Sequence, residues 1–116
     1  MTKGKVVLVP FPFDDLTATK LRPAVCLTEA IGPHRHVIVA FVSSQMPEVP
    51  AETDVLIDPR RNDFGATGLR VGSVLRLHRL VTLTTSLIQR ELGELSPAIQ
   101  EETEKKLVLL FGLKKL

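Results

Sequence analysis

The sequence has no tryptophan and no tyrosine, and its 4% aromatic share comes from five phenylalanines. Few rings are therefore available to stack a base. One cysteine, Cys26, excludes an internal disulfide, and its apolar neighbours make it core filler rather than a nucleophile. The longest apolar cluster, Leu107 to Phe111, is far short of the about 20 residues that span a bilayer. Lys3 and Lys5 precede only a short apolar stretch before prolines intervene, so no signal peptide is read. A cytoplasmic location with no membrane partner is expected. No HExxH, Cys/His cluster or Gly-rich phosphate loop is present, which argues against a zinc site, a P-loop or a dinucleotide site. His34 and His36 lack a third ligand at clear spacing and read as a surface turn. No metal and no cofactor are expected.

What is present is a chain of 116 residues, 44% hydrophobic, which predicts a single domain over 1–116 with one modest core. A net charge of +2 and a pI near 8.9 are mildly basic and do not by themselves imply nucleic-acid binding. The distribution is more telling. Arg60, Arg61, Arg70, Arg76, His78 and Arg79 fall mid-chain, while Glu91, Glu94, Glu101, Glu102 and Glu104 fall later. That asymmetry is compatible with a cationic face for phosphates and a separate acidic face, or with ordinary solvated side chains.

The stretch around which the chain is organised runs from Gly4 to Thr28. Lys5 to Val9 reads as a strand, and Pro10 and Pro12, lacking an N–H, are expected to end its ladder. Phe11, Phe13, Asp14, Asp15, Thr17 and Thr19 then belong to a loop of about a dozen residues, long enough to suggest function. Arg22-Pro23 closes that loop, and Ala24 to Leu27 reads as a second strand. His36–Ser43 and Asp54–Asp58 predict strands, and Ser73–His78 a third that continues or bends through Leu80–Leu83. Leu87–Leu95 reads as a short final strand. Ser96-Pro97 marks a helix start and Gly112 a stop, with Ile99, Thr103, Leu107 and Leu110 as its core stripe. Glu101 with Lys105 and Glu102 with Lys106 add i,i+4 pairs. Val108 and Leu109 widen the apolar face, as a partner contact or as further core. About five to seven short strands and one helix suit a small, mainly β fold, a curled antiparallel barrel capped by the helix.

The order Gly4, hydrophobic strand, Pro10-Phe11-Pro12-Phe13, acidic loop, Arg22-Pro23 and second hydrophobic strand resembles the signature of the PemK/MazF toxin family. The resemblance extends from Gly4 to about Leu113. It implies an SH3-like barrel with a C-terminal helix, working as a homodimer. It also implies the toxin of a type II toxin–antitoxin pair, held by a cognate antitoxin and cleaving single-stranded RNA at short motifs, independently of metal and ribosome. Growth inhibition would follow. Products would carry a 2′,3′-cyclic phosphate and a 5′-hydroxyl.

Metal-free RNA cleavage needs a base for the 2′-hydroxyl, a cation for the phosphate and an acid for the leaving oxygen. Arg22 can fork onto a phosphate or pair with Asp14 or Asp15, and the resemblance favours the catalytic role. In the family a strand-end hydroxyl, usually Thr, contacts the scissile phosphate, and Ser43 stands at that place. Arg76 and His78 share one strand face about seven ångströms apart. The related Arg-x-Asp pattern supplies acid and base, so Arg76 is kept and His78 replaces the carboxylate. Phe13, Asp15, Ser44 and Gln45 are candidate substrate contacts, and Phe13, like Phe11, stacks a base or folds into the core. Arg79 would join them only if its strand bulges. The departures at Ser43 and His78 also support a rival, a barrel that binds antitoxin or nucleic acid without cleaving. A gyrase poison on a similar barrel has no positive support in the sequence.

Overall fold

The computed structural model describes residues 1–11 and 20–114. The expectations for Phe13 and Asp15 lie outside the described residues. Six strands form one antiparallel sheet: β1 Lys5–Phe11, β2 Lys20–Cys26, β3 His36–Ser43, β4 Asp54–Ile57, β5 Ser73–Thr84 and β6 Arg90–Glu94. Their spatial order is β4-β5-β3-β2-β1-β6. The sheet curls into a half-barrel, and helix α1, Pro97–Phe111, closes it.

Period-two alternation sorts the apolar residues into two cores. Val25, Ala40, Val42, Val55, Ile57, Leu75 and Leu77 face α1 and pack with Ile99. Val7, Val9, Ala24, Cys26, Val37, Val39 and Phe41 form the other cluster. Burial pushes the Cys26 thiol up to about 11, so it is protonated and inert.

Two expectations about proline are corrected. β1 runs through Pro10, which pairs with Leu21, and Phe11 pairs with Lys20. β2 begins at Lys20, so Arg22 and Pro23 lie in a strand rather than closing a loop. The reason is which neighbour each strand has at that point. β6 accompanies β1 only as far as Leu8, and β3 joins β2 only from Ala24. Beyond those points β1 and β2 are sheet edges, where proline is admitted. β6 is shorter than expected, because Thr85–Leu87 forms a 3-10 turn before it.

The helix follows its sequence signals. Ser96 caps it by accepting the Ile99 N–H at 3.1 Å, Pro97 stands in the first turn, and Gly112 ends it in the left-handed region. Ile99 and Thr103 are buried, and Leu107 and Leu110 pack on the same core. Glu101–Lys105 and Glu102–Lys106 are paired at 3.4 and 3.8 Å. Leu109 is exposed and Val108 half-buried.

A 3-10 turn, Gly65–Thr67, presses against β6. Gly68, with φ of +73°, would place a Cβ 2.0 Å from the Leu92 carbonyl oxygen, and a Cβ on Gly93 would lie 2.2 Å from that of Ala66. Gly68→Ala should destabilise by roughly 2–5 kcal/mol, combining left-handed strain with collision against backbone. The urea midpoint measures it, and an unchanged midpoint would refute the close approach.

The turn also steadies the helix start. Asp63 accepts from Arg61 at 2.7 and 3.0 Å and from the Ser96 hydroxyl at 2.6 Å. The Arg61 guanidinium, then Ser96, hold its carboxyl well below the usual range. A lowered folded-state value stabilises above the ordinary carboxylate pKa of about 3.9 and is lost as pH falls through the folded value. The fall in urea midpoint between neutral pH and about pH 3 should therefore shrink in Asp63→Asn.

Candidate active site

The site lies where β3 loses one partner and shifts on the other. Past Ala24↔Phe41 the β2–β3 ladder stops, leaving Arg22 and Ser43 just beyond its end. Each is two residues from a paired residue, so both stand on the Phe41 side of the sheet. Between β3 and β5 the register slips: Ala40 faces Leu80 while Phe41 faces Arg76, so residues 77–79 are absorbed in a bulge. The bulge swaps faces along β5. Leu75 and Leu77 join the helix-side core, whereas Val81 and Leu83 join the opposite one. Arg79 keeps step with Val81 and so reaches the Phe41 side.

A cavity of about 210 Å³ results, lined among others by Phe11, Arg22, Phe41, Ser43, Gln45 and Arg79. Val42 and Ser44 complete its described lining, which contains two guanidinium groups and no carboxylate. The Arg79 guanidinium carbon lies 5.4 Å from the Phe11 ring centroid, a cation–π contact. The Phe11 and Phe41 rings meet edge to face, with centroids 4.2 Å apart. Phe11 thus packs and also supports a cation. The Ser43 hydroxyl accepts the Gln45 N–H at 3.1 Å and stands 3.5 Å from the Gln45 carbonyl, the limit of a hydrogen bond. Its proton remains available to a stronger acceptor such as a phosphate oxygen.

Arg22, Ser43, Ser44, Gln45 and Arg79 are therefore brought together. Arg76 is on the same face one strand over, but it is committed. Its Nε donates to Asp54 at 2.9 Å, and the Asp54 side chain is wholly buried. Asp54 also accepts the Ala51 N–H at 2.8 Å. His78 is exposed in the bulge and is not among the cavity's lining residues. His34 and His36 are exposed, with rings 5.9 Å apart. Among the described residues, no three His, Cys, Asp or Glu side chains gather as metal ligands.

Asp54 and Phe41 escaped sequence reasoning. An aspartate opening a strand looks solvated, and only register shows Asp54 opposite Arg76. Removing one partner of a buried ion pair costs about 3–5 kcal/mol, so Asp54→Ala should lower stability by that order. Chemical unfolding reads it, and a loss below 1 kcal/mol would mean that solvent already screens the pair.

A family model for the PemK-like, MazF-like toxin of type II toxin–antitoxin systems matches residues 2–111. A comparison with curated protein sequences returns no match. Solved structures share the fold. An endoribonuclease in complex with its cognate antitoxin, from a mycobacterial species, is 18% identical with a TM-score of 0.70, covering 100% of this chain and 99% of that one. The Mycobacterium tuberculosis toxin MazF-mt6 is 22% identical with a TM-score of 0.68, over 94% and 99%. A MazE–MazF structure from Deinococcus radiodurans is 20% identical with a TM-score of 0.72, over 98% and 97%.

Proposed function

Because the chain belongs to the PemK-like, MazF-like toxin family of type II toxin–antitoxin systems, we propose that it is a metal-independent, ribosome-independent endoribonuclease acting on single-stranded mRNA. The observation that carries this reading is the grouping of Arg22, Ser43 and Arg79 around one cavity, with no carboxylate among its described lining residues, beside an aromatic pair. Two guanidinium groups suit a phosphate, and a ring edge suits a base. In the reaction the 2′-oxygen attacks the adjacent phosphorus. The P–O2′ bond forms as the P–O5′ bond breaks, leaving a 2′,3′-cyclic phosphate and a 5′-hydroxyl. Arg22 and Ser43 hold the phosphate and stabilise its developing charge. His78 takes the 2′-proton, Arg76 assists as acid or charge stabiliser, and the departing 5′-oxygen takes its proton from that guanidinium or from water to become the 5′-hydroxyl. The active form is a homodimer in the cytoplasm, and a cognate antitoxin silences it by covering the cationic cavity.

A second reading is favoured by one observation. Arg76 is bound to Asp54 and His78 stands outside the cavity lining, so the machinery suits a binding module that engages antitoxin or nucleic acid without cleavage.

Purified protein with a long single-stranded RNA in EDTA separates the two. Cleavage at a few short motifs is expected, with loss of about 10²–10³-fold in Arg22→Ala. His78→Ala should lose about 10²–10⁴-fold, the usual worth of a general base. Intact RNA with folded wild-type protein would sink the enzyme reading. Full activity in His78→Ala would move the base role to another group.

A further inference from the structure

A second cavity, of about 290 Å³, opens on the far side of Arg22. It shares Arg22, Val42 and Ser44 with the candidate active site, so the two are continuous around one side chain. Its own cations are Arg70 and Arg90, both exposed. The described lining contains no carboxylate, and Leu8, Leu69 and Leu92 supply an apolar wall.

Nothing local brings Arg70 and Arg90 together. Arg90 starts β6, and Arg70 follows the 3-10 turn at Gly65–Thr67. Gly68 and Gly93 let that turn approach β6 closer than any side chain would permit. The two arginines also differ from others in the chain. Arg60, Arg61 and Arg76 are each held by an aspartate. Among the described residues no carboxylate pairs with Arg70 or Arg90.

We propose that this groove is a flanking subsite for single-stranded RNA, in which Arg70 and Arg90 hold the backbone phosphate next to the scissile one and the leucine wall carries the attached base or sugar. The inference rests on the proposed ribonuclease reading. Charge complementarity carries it: an anionic chain leaving the first cavity past Arg22 meets two further guanidinium groups with no competing carboxylate in the described lining. Arg70 and Arg90 act as positioning residues and do not touch the reacting atoms.

The test is binding of a 5′-labelled eight-nucleotide 2′-O-methyl RNA, which lacks the attacking hydroxyl and is not cleaved, followed by fluorescence polarisation across a salt series. Each phosphate contact contributes about 0.7 to the slope of log K against log salt for single strands. Because both arginines hold the same phosphate, the Arg70→Ala, Arg90→Ala double variant should flatten the slope by about 0.7 in total, each single variant by part of that, with the lysine variants retaining it. A 2′-O-methyl dinucleotide, too short to fill both cavities, should bind wild type and double variant alike. Unchanged slopes in the double variant, or no binding of the long probe by wild type, would overturn the subsite. A double variant with wild-type slopes but an altered monomer–dimer equilibrium would also overturn it, assigning the groove to a second copy of the chain. The ribonuclease reading fails separately, by intact unmodified RNA in EDTA while the salt slopes still respond to Arg70 and Arg90.

Discussion

The end of the β2–β3 ladder at Ala24–Phe41 is the constraint on which the site depends. A sheet that stayed zipped past this pair would bury its backbone groups in pairing and leave no opening. Pro23, the next residue outward on β2, has no N–H to continue the ladder. On the other flank of Phe41 the register to β5 slips. Phe41 therefore stands at a double discontinuity, held by an edge-to-face contact with Phe11. Its ring floors the cavity that these two breaks open.

The bulge in β5 has a chemical consequence beyond geometry. In a regular strand Arg76 and His78 share one face and Arg79 takes the other. With residues 77–79 absorbed, Arg79 comes to the Phe41 side and Arg76 stays on it. The two arginines then do different things. Arg76 neutralises a carboxylate that has no solvent exposure, a structural task that a buried ion pair imposes. Arg79 rests on a ring and faces the cavity, so its charge remains available to a ligand. Breaks in pairing at the edge of a sheet re-aim side chains in this way.

Much of this was legible in the residues, and the failures share a cause. The helix was readable because its signals are local: Ser96, Pro97 and Gly112 act on neighbouring backbone groups, and each acts as expected. The strand His36–Ser43 was readable from its β-branched run. Pro10 and Pro23 misled because proline forbids pairing on one side only, and which side has a neighbour is decided by the whole sheet. Arg22 and Ser43 were named from the family signature and line one cavity, and Arg79 was named only on condition of a bulge that no residue type announces. Asp54, Arg70 and Arg90 were invisible as a set, because their partners arrive from distant parts of the chain.

Charge segregation unites these details. Near the helix and the 58–63 turn, acid meets base: Asp58 with Arg60, Asp63 with Arg61, Glu101 and Glu102 with their lysines. Those pairs are short-range and exposed or partly buried, and they cancel at a distance. Neither cavity has a carboxylate in its described lining, which holds Arg22 and Arg79 in one and Arg22, Arg70 and Arg90 in the other. A net charge of only +2 thus goes with an uneven spread, in which four arginines line two adjoining cavities of the described residues. Both cavities meet at Arg22, beside the place where Phe41 ends its pairing with β2, so the same break in the ladder that opens the first cavity also joins it to the second.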